Sequence, residues 1–250
     1  YTKTAWIKKQ TGGGYNNIFS GNNYHALGVP SERSYKLCAG HNNLWYTVED
    51  SEPIVFDEWV FVSVTYDPDV DSGTMKLYKN GDLVDSTTGV AVQNNSTASY
   101  IGMFAGGSNF HGPIDSVTFW HRALNDEEIL DLMNFDVPTN TEGLVGVWTF
   151  DAGEGTMAYD HSGNANHGTV NGATWSDDVP TTTPPSLLGV VDATGLWEGM
   201  PSPERQPSNL VIPYDGPGWD GSTLTFETIF ETGAQGQGMW TGCNYIAAGS

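Results

Sequence analysis

The sequence predicts an all-β protein, an antiparallel β-sandwich carrying one short helix. Composition is the first observation: 31 glycines, 13 prolines and 12% aromatic residues against only 16% charged ones suit a chain with many turns between packed strands. The second is that runs rich in β-branched and aromatic residues recur at short spacing through residues 1 to 137. The third is the stretch Phe110–Ile129, where a strand runs with little slack into the one well-capped helix of the chain. With 250 residues, one large sandwich and a smaller unit fit comfortably.

Taken in order, the chain opens in Tyr1-Thr2-Lys3-Thr4-Ala5-Trp6-Ile7-Lys8-Lys9, which reads as the middle of a strand and hence as the start of a processed or partial chain; no signal peptide is visible. Glu58–Tyr66 is dense in valine and aromatics, and places Val60, Val62, Val64 and Tyr66 on one face, the pattern of a central strand. Thr74–Lys79 and Asp82–Ser86 flank Asn80-Gly81, the pair favoured by a two-residue type I′ hairpin because both central residues need positive φ. The next strand alternates Ile114, Ser116, Thr118 and Trp120 with Asp115, Val117, Phe119 and His121, so apolar groups stand on both faces. Asn125 then caps a helix and Glu128 closes a capping box. Leu124 with Ile129 supplies the hydrophobic staple, while Ile129, Leu132 and Met133 form one apolar stripe on a helix of roughly ten residues.

Beyond the helix, Gly143–Asp151 is strand-like and Asp160–Gly168 is a loop by composition. Thr181-Thr182-Thr183-Pro184-Pro185-Ser186 is a linker, rich in threonine and proline without apolar periodicity. Residues 187–250 form a separate β-rich region with one clear strand, Ser222–Phe230, and no assignable role.

Thirty acidic residues against nine basic ones give a formal charge of −21, which excludes nucleic acid and disfavours anionic polysaccharides as partners. No apolar run approaches the roughly 18 residues of a membrane helix. Acidic surfaces suit extracellular or salty settings. Cys38 and Cys243 are too few and too distant in sequence to define a disulfide framework.

The pattern Phe110-x-Gly112-x-Ile114-Asp115-x-Val117-x-x-Trp120-x-x-Ala123-Leu124-x-x-x-Glu128-Ile129 resembles the closing strand and helix of laminin-G-like, concanavalin A-like jelly-roll domains. Thr4–Lys8, Glu58–Asp67 and Met75–Gly81 are similar to earlier core strands of that family, in the same order. Gly143–Asp151 with Asp160–Thr169 resembles the segment that opens such a domain or trails behind it. The resemblance implies a jelly-roll sandwich over residues 1–137, a returning or trailing strand segment over 138–180, and the linker and C-terminal β-rich region after it. The family's usual first strand, before Trp6, is missing. Either residues 143–175 return to fill the gap or another copy of the chain does, since an open edge with unpaired amides is seldom left bare.

No enzymatic constellation is present. There is no strand of alternating glucanase carboxylates, no nucleophile elbow, no zinc pair and no phosphate-cradling loop. Calcium is the more plausible chemistry. Asp67, Asp69 and Asp71 alternate ahead of Gly73, a spacing that lets hard oxygens converge, although this is no EF-hand because Ser72 and Tyr78 stand at its glycine and glutamate positions. The alternative is a solvated acidic turn. The resemblance implies a second calcium set in Asp160, Asn164 and Asn166, joined by Asp115; Asx-turn residues bonding their own backbone are the competing reading. For glycans, flat rings stack on sugar C–H faces while amides take hydroxyls, and Tyr15, Tyr24, His25, Asn43 and Trp45 fall in glycine-dense early segments together with Asn16, Asn17, Asn22, Asn23, His41 and Asn42. Asn94-Asn95-Ser96-Thr97 holds two overlapping glycosylation sequons, read as a polar loop.

These features lead to a non-catalytic binding or adhesion module on an extracellular, cell or virion surface, with a glycan or polysaccharide as first-choice ligand, structural calcium, and other copies of the chain as partners. The alternatives are a structural subunit of a filament or virion surface, joined through incomplete sheet edges, and an accessory module of a polysaccharide-degrading enzyme.

Overall fold

The computed structural model describes residues 1–21, 25–94, 98–104, 107–134 and 140–180. The linker, the region 187–250 with its strand Ser222–Phe230, Cys243, and the Asn95, Ser96 and Thr97 of the sequons lie outside them. In chain order the elements are β1 (Thr2–Lys8), β2 (Asn17–Gly21), β3 (His25–Gly28), β4 (Lys36–His41), β5 (Leu44–Pro53), β6 (Trp59–Asp67), β7 (Thr74–Lys79), β8 (Asp82–Thr87), β9 (Ser99–Ile101), β10 (Ile114–Trp120), α1 (Asp126–Asn134), β11 (Leu144–Trp148), β12 (Met157–Ala158) and β13 (Gly168–Thr169). A six-stranded sheet in the order β11-β10-β1-β6-β7-β8 faces a five-stranded sheet in the order β5-β4-β3-β2-β9, and β12 pairs with β13. All pairings are antiparallel, the arrangement of the expected concanavalin A-like sandwich.

Period-two patterning puts Val60, Val62, Val64 and Tyr66 of β6 into the core between the sheets, against Ile18, Leu27, Leu37, Ala39 and Val48 of the second sheet. The opposite face of the six-stranded sheet is covered too. Phe61, Tyr78 and Trp120 meet Leu124, Ile129 and Leu132 of the helix segment there. Full burial of Ile129 removes it from water at a gain of about 1.5–3 kcal/mol. The helix start is built as its residues dictate. Glu128 N–H donates to Asn125 Oδ1 at 2.9 Å and Asn125 N–H to Glu128 Oε2 at 2.9 Å, while Arg122 clasps the same carboxylate through both terminal nitrogens at 2.8 and 2.6 Å. The β7–β8 turn has Asn80 at φ 51° and Gly81 at φ 82°, as a type I′ hairpin requires.

The strand β10 corrects the simple alternation expected for it. Thr4 pairs with Thr118 but Trp6 with Asp115, and Ser116 has φ 46°, so a β-bulge at Ser116 shifts the phase. Ile114 therefore joins Val117 and Phe119 on the inner core, while Trp120 faces the helix.

Strand β11 lies beside β10 in the same sheet, within the same chain. Its outer edge is covered by the loop that follows. Val147 N–H donates to Asp160 Oδ1 at 2.9 Å and Val147 C=O accepts His161 N–H at 2.8 Å. Val145 C=O accepts the side-chain amides of Asn164 and Asn166 at 3.2 and 2.8 Å. Side chains thus stand in for the next strand. Among the described residues no helix is long and apolar enough to cross a membrane.

Candidate functional site

A cleft of about 390 Å³ opens on the outer face of the five-stranded sheet. Its floor follows from strand alternation: Ile18, Leu27 and Leu37 point into the core, leaving Asn17 of β2, Ala26 and Gly28 of β3, and Cys38 of β4 to line the other face. Because three of these residues are small, the surface is a trough. Aromatic walls rise around it: Tyr15 from the loop before β2, Trp45 and Tyr46 from edge strand β5, and Phe104 from the segment after β9. The Trp45 and Phe104 rings meet edge-on, with centroids 5.4 Å apart and an interplanar angle of 79°. Ser108, Pro30 and Glu32 complete the rim.

Tyr46 is held from both sides. Its hydroxyl donates to Glu32 Oε1, and the Arg33 guanidinium lies 5.0 Å from its ring centroid while bonding Glu49. Burial, and then the Glu32 carboxylate, push the Tyr46 phenol above its ordinary value, so it stays a protonated donor. Cys38 is buried; burial, followed by the Glu49 charge, raises its thiol to about 12, so it is an apolar floor residue and not a nucleophile at neutral pH.

Of the residues expected to bind a glycan, Tyr15 and Trp45 come together in this cleft. His25 does not. The phase of β3 turns it into the sandwich, 1% exposed, where it accepts from Lys3 Nζ and stacks on Phe19 with centroids 6.4 Å apart. Burial, with the Lys3 and His41 charges, depresses its imidazole to about 2, and burial holds the Lys3 ammonium well below the ordinary lysine value. Asn43 sits exposed in the β4–β5 turn at φ 67°, a turn residue apart from the cleft lining. Asn42 bonds Val92 C=O at 2.9 Å and the Asn94 amide at 2.9 Å. Tyr24, with Asn22 and Asn23, lies outside the described residues. Sequence reasoning missed Tyr46, Phe104, Glu32 and Ser108. The usable signal was the run of small outward residues Ala26, Gly28 and Cys38 beside an aromatic pair.

Of the side chains expected to ligate calcium, those of Asp67, Asp115, Asp160, Asn164 and Asn166 make hydrogen bonds within the protein. Asp67 Oδ1 accepts the Asp69 amide at 3.0 Å, an Asx turn, and Asp71 at φ 48° is part of a tight turn whose backbone is tied to Gly89. Asp160, Asn164 and Asn166 are brought together, but on hydrogen bonds. Asp160 accepts Val147 N–H and Ser162 N–H at 2.9 Å each, and Asn166 N–H and Ser162 Oγ–H at 2.8 Å each. Four donors converging on one carboxylate make a poor place for a cation. Burial pushes the Asp160 carboxyl up, but the bonds from Val147, Ser162 and Asn166 outweigh it and hold it below the usual value. Asp115 does not join this set through any of those bonds; its Oδ1 accepts the Ser116 amide at 2.7 Å across the bulge. Among the described residues no three His, Cys, Asp or Glu side chains gather as a metal site. The Asp160 carboxylate, taken up by these four donors, therefore does not fit calcium.

A family model described as the concanavalin A-like lectin/glucanases superfamily, of laminin G type, matches residues 1–130. Among solved structures, a protein from Bacteroides ovatus assigned to carbohydrate binding is 19% identical, with a TM-score of 0.56 over 71% of this chain, which spans 55% of that protein's length. Domain 4 of an extracellular arabinanase from Geobacillus stearothermophilus, solved with arabinotriose, is 23% identical with a TM-score of 0.42 over 53% of this chain and 65% of that one. No curated protein matches the chain.

Proposed function

The chain belongs to the concanavalin A-like lectin/glucanase superfamily, and from that premise we propose that it is a non-catalytic carbohydrate-binding module whose ligand lies in the cleft between Tyr15, Trp45, Tyr46 and Phe104. The observation that carries this reading is the combination of aromatic walls and a small-residue floor on one open sheet face, with the Asn17 and Ser108 side chains placed among them. Sugar rings offer C–H faces to the electron-rich faces of aromatics, and their hydroxyls need amide and hydroxyl partners. A volume of 390 Å³ lies at the lower end of the ~300–1,000 Å³ typical of ligand sites, room for the end of a short oligosaccharide and not for a long buried stretch. Glycoside hydrolysis needs two carboxyl groups flanking the bond; the cleft lining contains one, Glu32, so the site is built to hold a sugar and not to cut it. The Bacteroides ovatus protein's assignment to carbohydrate binding agrees with this reading. The module acts outside the cell or on a particle surface, where free glycans are met.

The test is a panel of neutral oligosaccharides, covering hexopyranose and pentofuranose types, presented to the immobilised chain. Retention of at least one class, competed by its own free oligosaccharide, is expected. Silence across the whole panel would overturn the proposal.

A further inference from the structure

Resting on the reading of the cleft as a sugar site, the geometry points to a preference for glycans that carry a free, protonated amino group, such as glucosamine units, over neutral and anionic ones. Among the described residues Glu32 is the one charged side chain lining the cleft, and it is acidic. Its Oε1 accepts the Tyr46 hydroxyl, which leaves Oε2 to face a ligand. The cations nearest to it along the chain pair with Glu49 and not with Glu32: Arg33 Nε lies 2.5 Å and Lys36 Nζ 3.9 Å from the Glu49 carboxylate. Tyr15, Trp45 and Phe104 line the same cleft, whereas the Tyr46 ring already carries the Arg33 guanidinium. Aromatic faces next to an uncompensated carboxylate attract an ammonium twice over, through the ring quadrupole and through charge, while they repel a uronate or a sialic acid. The charge of −21 on the whole chain acts in the same direction and draws cationic ligands toward the surface.

Because Glu32 is exposed, on the single 3₁₀ turn of helix Ser31–Arg33, the discrimination is modest. A rim ion pair together with an exposed cation–π contact amounts to roughly fivefold to tenfold in affinity. The experiment is calorimetric titration of the full chain at pH 6 with trimers of glucosamine, N-acetylglucosamine, glucose and galacturonic acid, at low and high salt. The glucosamine trimer is expected to bind roughly fivefold to tenfold more tightly than the glucose trimer, the galacturonic acid trimer weakest, with the advantage shrinking as salt screens it. In Glu32→Gln the ratio of glucosamine to glucose affinity is expected to fall to about twofold, the share that the ring contact alone keeps. That exchange keeps an oxygen for the Tyr46 hydroxyl and lies on the surface, so the variant folds. Equal binding of the amino and neutral trimers, or a preference undiminished in Glu32→Gln, overturns this inference and leaves the sugar-site reading standing. Failure of all four trimers also overturns it, while the sugar-site reading falls only if the wider neutral panel is silent as well.

Discussion

Replacing Asp160 by alanine is the most demanding test of how the sheet is closed. The substitution removes an acceptor from three backbone amides, those of Val147, Ser162 and Asn166, and from the Ser162 hydroxyl. These donors do not suffer equally. Val147 is buried, so its N–H keeps the full penalty of a stranded donor, about 1–3 kcal/mol. Asn166 is exposed and Ser162 partly so; their amides recover water and lose only the net worth of a hydrogen bond, about 0.5–1.5 kcal/mol each. The sum is about 4 kcal/mol, a large share of a typical domain's stability. Asp160→Asn keeps one carbonyl oxygen for Val147 and Ser162 but turns an amide donor toward the other two, and should lose about half as much. Urea denaturation gives the free energies, and hydrogen exchange of the Val147 amide reports the edge directly. The exposed neighbour Asp151→Ala serves as control, with a change within about 0.5 kcal/mol. A loss below about 1 kcal/mol in Asp160→Ala, or unchanged protection at Val147, would refute the claim that this carboxylate substitutes for a missing neighbour strand.

Three further outcomes are expected. Since His25 is held neutral, with its imidazole near 2 in the fold and near 6.5 when unfolded, the unfolded state binds the extra proton; stability is full above pH 6.5 and falls as pH drops, by about 1.4 kcal/mol per unit. Between pH 7 and 5, above the range where most carboxylates titrate, the free energy of unfolding should therefore fall by about 2 kcal/mol on account of His25, and a flat profile would contradict the buried neutral histidine. Asn125→Ala removes the acceptor of the Glu128 amide and should lower stability by about 1 kcal/mol, or about 2–4 °C in Tm by calorimetry; no shift would show the capping box to be idle. Adding EDTA should leave Tm unchanged, because the Asp160 carboxylate at the centre of the second candidate set already bonds three amides; a drop of several degrees would restore calcium to the account.

The parts of this molecule legible in the sequence are those whose causes are local. Asn80-Gly81 dictates its turn, Asn125 and Glu128 find each other three residues apart, and the valines of β6 repeat with the period of the sheet. What was not legible depends on distant pairing. The bulge at Ser116 exists because β10 must match β1, and no pattern within Ile114–Trp120 announces it. His25 looked like a loop histidine until the phase of β3 turned it inward onto Lys3. Asp160, Asn164 and Asn166 suggested metal ligands by residue type, yet their oxygens and amides are matched to the edge of β11, a strand that takes its place only through pairing with β10. The cleft was half visible: Tyr15 and Trp45 could be suspected as aromatics in early loops, but Phe104 reaches them from nearly sixty residues further along.

The central claim, that the aromatic cleft is the sugar site, is tested most directly by the affinity of the strongest panel glycan for the wild-type chain and for Trp45→Ala, with the fold of both checked by circular dichroism. Loss of a stacking wall should weaken binding at least tenfold, about 1.4 kcal/mol, with the spectrum unchanged. Undiminished affinity in a folded Trp45→Ala variant would place the sugar elsewhere on the protein and contradict the account.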